Sequence, residues 1–355
     1  MLYSGIDLHR DNSMITTINE SGIIVKQQKL PNDEVSILNY FFSMGSEHRA
    51  VVEATANWYW LSDMLNDHGI DLVLAHAKYL KAISYAKVKT DKVDSQTLAN
   101  LLRIDMIPTA HQIDPKLRPV RDLMRARLKL VHKNISCQNS IHRIMGKYNL
   151  NIPDDKKLHD LSTLQKLNDL ALPKEAMLQL ELNKEQMRLL HRQISELEKS
   201  MHPKLIPNPD IQRLLWIPGI GKILAFTIFL EVDGIERFPG TPQFLSYSRL
   251  VPGADNSNRK TKHKSANKDG NRYLKMAFTE AAVRAIQYFK EVKAFYKTKE
   301  RKKHNAIART LVAQELAKIC YHVLDTKTDF NNTFKGKMLS RRKSMQWPRL
   351  ASPDA

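Results

Sequence analysis

The first 108 residues alternate short apolar runs with polar breaks. The segments "LYSGID" (2–7), "SMITTINE" (13–20) and "IIVKQQKL" (23–30) have the length and the Val, Ile, Thr and Tyr content of strands, with Asn19–Gly22 as a turn. "RAVVEAT" (49–55) and "DLVLAH" (71–76) are further apolar strands, separated by a helical pattern over 57–68. "KTDKVDSQTLANLLR" (89–103) starts an amphipathic helix. Three strands in succession, followed by strand–helix–strand–helix, is the order of an RNase H-like mixed sheet.

From 119 to 203 the period changes. Leu123, Leu130, Cys137 and Ile144 recur every seven residues, as do Leu180, Met187 and Ile194, with Leu190 and Leu197 on a second seam. This spacing predicts two coiled-coil arms, broken near Pro153 and Pro173, or else two ordinary helices packed on a domain. "HPKLIPNP" (202–209) marks a boundary. A mostly helical domain follows, whose last helix carries Ala308, Val312, Leu316, Ile319 and Val323 on one face. The expected organisation is α/β plus α: a sheet domain over 1–118, a helical arm over 119–203, a helical domain over 204–328 and a basic tail over 329–355.

Charge narrows the partners. Lys and Arg number 56 against 37 Asp and Glu, a net charge of +19, which suits a polyanion such as nucleic acid because bound phosphates release condensed counterions. No apolar run is long enough to span a bilayer, and "MLYSGIDLHR" lacks the layout of a secretory signal. Cys137 and Cys320 supply neither a disulfide framework nor a zinc spacing. A protein of the reducing cytoplasm, with no membrane association, is expected.

Four acids stand out. Asp91 and Asp94 lie three apart, on one face of their helix. They read either as first-turn dressing that favours the helix dipole or as half of a metal site. Asp7 and Glu53 each close an apolar strand, where a carboxylate needs a cation or a donor. With those strands adjacent, their ends meet at one crevice. Four carboxylates there suit Mg²⁺ or Mn²⁺, which clamps a phosphate.

The second half offers two further features. "WIPGIGKILAFTIFLEV" (216–232) has a helix-hairpin-helix signature. Gly219 and Gly221 would let backbone N–H groups approach a phosphate, with Lys222 beside them at a helix N-terminus; a plain turn between packed helices is the alternative. Residues 259–275 then hold Arg259, Lys260, Lys262, Lys264, Lys268, Arg272 and Lys275 against one acid, Asp269. This basic loop leads through Asp269-Gly270-Asn271 into a helix that buries Leu274, Phe278, Ala281 and Ala285. Its basic residues together with Asn271 are candidates for gripping a phosphodiester, a plain solvated face being the alternative. Ser257 and Ser265 lie in the loop; from the residues alone either is an ordinary loop serine, since no base adjoins it.

Taken together, "GIDLH … VVEAT … KTDKVDSQTLANLL" resembles the acidic-tetrad (Asp-Glu-Asp-Asp) domain of the IS-one-ten and IS-eleven-eleven class of insertion-sequence transposases, itself similar to the Holliday-junction resolvase RuvC. The C-terminal half resembles the same family's serine domain through its Pro-Gly-Ile-Gly turn, "LVP", the serine loop and "KDGNRYL". By position the resemblance implies that Asp7, Glu53, Asp91 and Asp94 are the four carboxylates and Ser257 the catalytic serine. Asn258 stands where the family usually has Gly, and Ser265 is the other candidate. It further implies a recombinase acting on donor and target DNA, guided by a structured non-coding bridge RNA. The acidic and serine halves would then form a composite site, shared within a homodimer or tetramer. A RuvC-like nuclease that activates water, and a non-catalytic nucleic-acid-binding scaffold, are the competing readings.

Overall fold

A computed structural model describes residues 1–330 except 46, 56, 84–89, 153–157, 159–160, 168–170 and 253–268. The chain divides into two compact units, Met1–Pro115 and Lys116–Ala355.

The first unit is a five-stranded mixed sheet in the order β3-β2-β1-β4-β5. Its strands are β1 (Leu2–Leu8), β2 (Asn12–Ile18), β3 (Ile24–Pro31), β4 (His48–Glu53) and β5 (Asp71–Ala75), close to the positions that the apolar runs predict. β1, β2 and β3 pair antiparallel through tight turns, whereas β1–β4 and β4–β5 pair parallel. The parallel pairs need crossovers, and the helices α1 (Glu34–Phe42) and α2 (Tyr59–Asp67) supply them. Helix α1 was not foreseen. Its "EVSILNYFF" is as rich in β-branched and aromatic residues as a strand, and the side chain of Asp33, which accepts from the Ser36 N–H, tips it to helix.

One face of the sheet buries Ile6, Ile15, Ile37, Phe41, Val52, Leu61 and Leu65. On the other, Val51, Leu80, Leu98 and Leu102 pack together, bringing in α3 (Ala77–Ile83) and α4 (Asp91–Arg103). Helix α4 lies very close to β1 and β2. A Cβ on Gly5 would stand 2.0 Å from the Ser95 carbonyl oxygen, so only glycine admits the helix there. The buried hydroxyls of Thr16 and Ser95 complete the contact at 2.7 Å.

The second unit is helical. Helix α5 (Arg118–Lys147) and helix α7 (Lys174–Leu205) flank a short α6 (Leu161–Lys166). Arg127 bonds Glu198 and Cys137 bonds Gln186, so α5 and α7 run antiparallel along each other. Cys137, Ile141, Ile144, Leu180, Met187 and Leu190 fill their outer seam. At the inner end the predicted heptad slips: Leu123 and Leu130 are only partly buried, and Met124 and Leu128 lead inward instead. That end of α5 also packs on α9 (Lys222–Val232), which turns a different face to the core.

Helix α7 continues through Pro203 to Leu205, and its Met201 and Leu205 join the main helical core. Around α9 that core gathers α8 (Pro209–Leu215), α10 (Thr241–Tyr247), α11 (Arg272–Tyr288), α12 (Lys290–Glu300) and α13 (Asn305–Thr326). Leu274, Phe278, Ala281 and Ala285 on α11 are buried as predicted, and so are Ala308, Val312, Leu316, Ile319 and Val323 on α13. Both cysteines are free and buried. Among the described residues no helix is long and apolar enough to cross a membrane.

Candidate metal and nucleic-acid site

Parallel pairing sets Ile6 beside Val52, so the next residues, Asp7 and Glu53, lie at the same end of neighbouring strands. The close approach allowed by Gly5 brings the N-terminal turn of α4 toward that end. Thr90 caps the helix, its hydroxyl accepting from the Val93 N–H at 3.3 Å. Asp91 and Asp94 are therefore not needed as caps.

The Asp91 side chain turns to His9. His9 Nε2 lies 3.2 Å from Asp7 Oδ2 and 3.5 Å from Asp91 Oδ1. One donor atom from each of Asp7, His9 and Asp91 falls within 4.8 Å of the others. The His9 carbonyl accepts from the side-chain amides of Asn32 and Asn57, both at 2.9 Å, which fixes the backbone behind the ring. The Asp7 carboxyl is pushed above the ordinary aspartate range. Burial is the main cause; Asp91, Asp94 and Glu53 add to it by repulsion, and His9 opposes it.

Asp91, Asp94 and Glu53 thus all lie close enough to act on Asp7, but among the described residues the converging donors are those of Asp7, His9 and Asp91, without Glu53 or Asp94. Two carboxylate oxygens with an imidazole nitrogen, in a place where like charges crowd, fit a divalent cation. Sequence reasoning did not single out His9. The available signal was its position two residues beyond Asp7, which in extended chain puts both side chains on one side.

In the helical unit the predicted phosphate contacts separate. Gly219 has φ +80°, and a Cβ there would meet the Ala281 carbonyl oxygen of α11 at 2.2 Å, so this glycine serves helix packing. Gly221, at the N-terminus of α9, has open space where its Cβ would be, and Lys222 beside it is exposed. Arg272 is exposed at the start of α11.

Asn271 does not face outward: it is 8% exposed, its Oδ1 accepts from the N–H groups of Tyr273 and Leu274, and its Nδ2 donates to Glu231 at 2.6 Å. Ser257, Ser265, Arg259, Lys260, Lys262, Lys264 and Lys268 lie outside the described residues.

Comparison with known proteins accounts for both halves. Residues 4–150 match a transposase family model, the IS110-type DEDD domain. Residues 211–297 match the model described as the transposase IS116/IS110/IS902 family. The chain is 23% identical over 294 residues to the transposase for insertion sequence element IS1111A of Coxiella burnetii, covering 81% of this chain and 78% of that protein. It is 21% identical over 344 residues to the transposase for IS1328 of Yersinia enterocolitica, covering 92% and 98%. A probable family 20 transposase of Pseudomonas aeruginosa is 21% identical over 284 residues, covering 78% and 82%. With a mixed-sheet acidic domain and a helical domain matched in the same order, the chain belongs to the IS110/IS116 family of insertion-sequence transposases.

Proposed function

We propose that this transposase cuts and rejoins DNA by serine phosphoryl transfer, with Asp7, Glu53, Asp91 and Asp94 holding a divalent cation and Ser257 making the covalent bond. The convergence of Asp7, His9 and Asp91, within the field of Glu53 and Asp94, carries the metal half of this reading. Mg²⁺ or Mn²⁺ bound there supplies charge stabilisation to a phosphate oxygen. The chain's own part is to hold the carboxylates in register: strand pairing aligns Asp7 with Glu53, Gly5 seats α4, and His9 lies against Asp7 and Asp91.

In the serine half, Ser257 Oγ bonds to phosphorus as the bond from phosphorus to a DNA sugar oxygen breaks. The serine proton is lost and the departing oxygen becomes a DNA hydroxyl. The phosphodiester is exchanged, so the reverse attack rejoins a strand without a nucleotide cofactor. Arg259, Lys260, Lys262, Lys264, Lys268, Arg272 and Lys222 neutralise backbone phosphates, and the open N-terminus of α9 at Gly221 adds a backbone contact. The net charge of +19 leaves capacity for a guide RNA that selects donor and target by base pairing. A homo-oligomer is supported by Leu178, Leu182 and Leu189, exposed along one stripe of α7 opposite its buried face.

The test is covalent trapping. The full chain, its adjacent non-coding transcript and labelled DNA from the ends of its own element are incubated with Mg²⁺ and denatured. A protein-linked band is expected, absent in Ser257→Ala and in Asp91→Asn. Cleavage with no linked band, undiminished in Ser257→Ala, would establish a water-activating nuclease instead. Full transposition by Asp91→Asn without divalent metal would leave only a binding scaffold.

A further inference from the structure

Glu231 is a carboxylate in a helix that is apolar on nearly every side, and its own side chain is 1% exposed. It bridges separate parts of the helical unit. Arg125 Nε and Nη2 donate to its two oxygens at 2.7 and 2.8 Å, and Arg121 Nε donates at 3.3 Å, both from α5. Asn271 Nδ2 donates at 2.6 Å from the N-cap of α11. Asn271 lies three residues after the segment 253–268 in the sequence, and several contacts hold its surroundings. Its Oδ1 caps α11, Gly270 holds φ +97° with no room for a Cβ against Tyr247, and Arg249 donates to the Gly270 carbonyl at 2.7 Å. On the other side of the segment, Gln314 donates to the Leu250 carbonyl at 2.6 Å.

We propose that Glu231 is a positioning residue for strand transfer: through Asn271 it sets the point from which the serine segment leaves α11, and through Arg121 and Arg125 it ties that point to α5. An ion pair alone needs no amide partner. The Asn271 bond is what turns a buried charge pair into a fixed anchor for the residues just upstream. This rests on the serine reading above and gives Asn271 a role inside the protein in place of one against DNA.

The deciding variant is Asn271→Ser. A serine still caps α11 and leaves Glu231 with both arginines, so only the link between them is cut. Three quantities are measured on the full-length protein: melting temperature, retention of element-end DNA on a filter, and the single-turnover rate of the protein–DNA adduct. The expected result is near-native melting and DNA retention with an adduct rate at least tenfold lower. Asn271→Asp combined with Glu231→Gln restores a donor–acceptor pair of reversed polarity. It is expected to recover rate relative to Asn271→Asp alone, which sets two carboxylates face to face. A wild-type rate in Asn271→Ser overturns the proposal, as does a rate loss matched by an equal loss of DNA retention. If Asn271→Ser melts too low to assay, failure of the paired variant to outpace Asn271→Asp at a temperature where melting curves show both folded overturns it. An adduct that persists in Ser257→Ala removes the serine reading itself, and that outcome is visible whatever Asn271→Ser does.

Discussion

Replacing Gly5 by alanine adds one carbon at the closest point between β1 and α4. That carbon would sit 2.0 Å from the Ser95 carbonyl oxygen, 2.5 Å from the Ala99 nitrogen and 2.7 Å from Leu98 Cβ. Two of the three are main-chain atoms, so no rotamer change relieves the clash. Carbon–oxygen contacts normally lie at about 3.3–3.6 Å, so α4 must retreat by about 1.3 Å. The retreat stretches the buried Thr16–Ser95 bond, now 2.7 Å, beyond hydrogen-bonding range. Overpacking costs about 1–3 kcal/mol and the lost bond about 1 kcal/mol more. For a unit of this size the sum lowers the melting temperature by roughly 10–15 °C. The same movement draws Asp91 away from Asp7 and His9, and a misplacement of about 1 Å costs on the order of a hundredfold in rate. Calorimetry with and without Mn²⁺, together with the adduct rate at a temperature where the variant is folded, checks both halves. A Gly5→Ala protein that melts and reacts like the wild type would refute the argued link between packing and site.

Three further outcomes are expected. Asp7→Asn removes one of the crowded carboxylates, so the metal-free protein should melt higher than the wild type while the rise in melting temperature on adding Mn²⁺ disappears; an unchanged response to metal counts against the site. Glu231→Gln leaves two arginines without their carboxylate and should cost about 3–5 kcal/mol near neutral pH. Burial alone would raise the Glu231 carboxyl, but Arg125, Arg121 and Asn271 outweigh it and hold it below the usual value near 4.5. Its stabilisation is therefore complete above that value and lost as pH falls through the lowered one, and urea titrations from about pH 3 to 7 should show this acid-side slope in the wild type and not in Glu231→Gln. Gly219→Ala meets both a left-handed φ and the Ala281 carbonyl and should cost at least about 2 kcal/mol, whereas Gly221→Ala should be close to neutral; equal melting shifts would contradict the packing described.

Local pattern carried the sheet well. Runs such as "AVVE" and "LVLA" have one reasonable conformation, and acids that close such runs point to the crevice their strand order creates. What lay beyond the sequence were partners chosen by tertiary contact. Nothing in "GNRYL" shows that Asn271 faces Glu231, forty residues upstream, and its place in a basic stretch suggested a nucleic-acid contact. Gly5 sits inside an apolar strand, where its purpose appears only once α4 is laid against it. The inner end of the α5 seam escaped the heptad reading because a third helix, α9, shares that surface.

The antiparallel pair of α5 and α7 has a consequence of scale. At 1.5 Å per residue the thirty residues of α5 extend about 45 Å, the length of roughly thirteen base pairs of duplex. The outer turn near Lys147 is therefore held about one turn of DNA away from Arg121 and Arg125, and a tilt of only a few degrees at the inner end swings it by several ångströms. Lengthening or shortening this lever by whole heptads would change the reach of the helical unit in steps of about 10 Å while leaving its main core as it is.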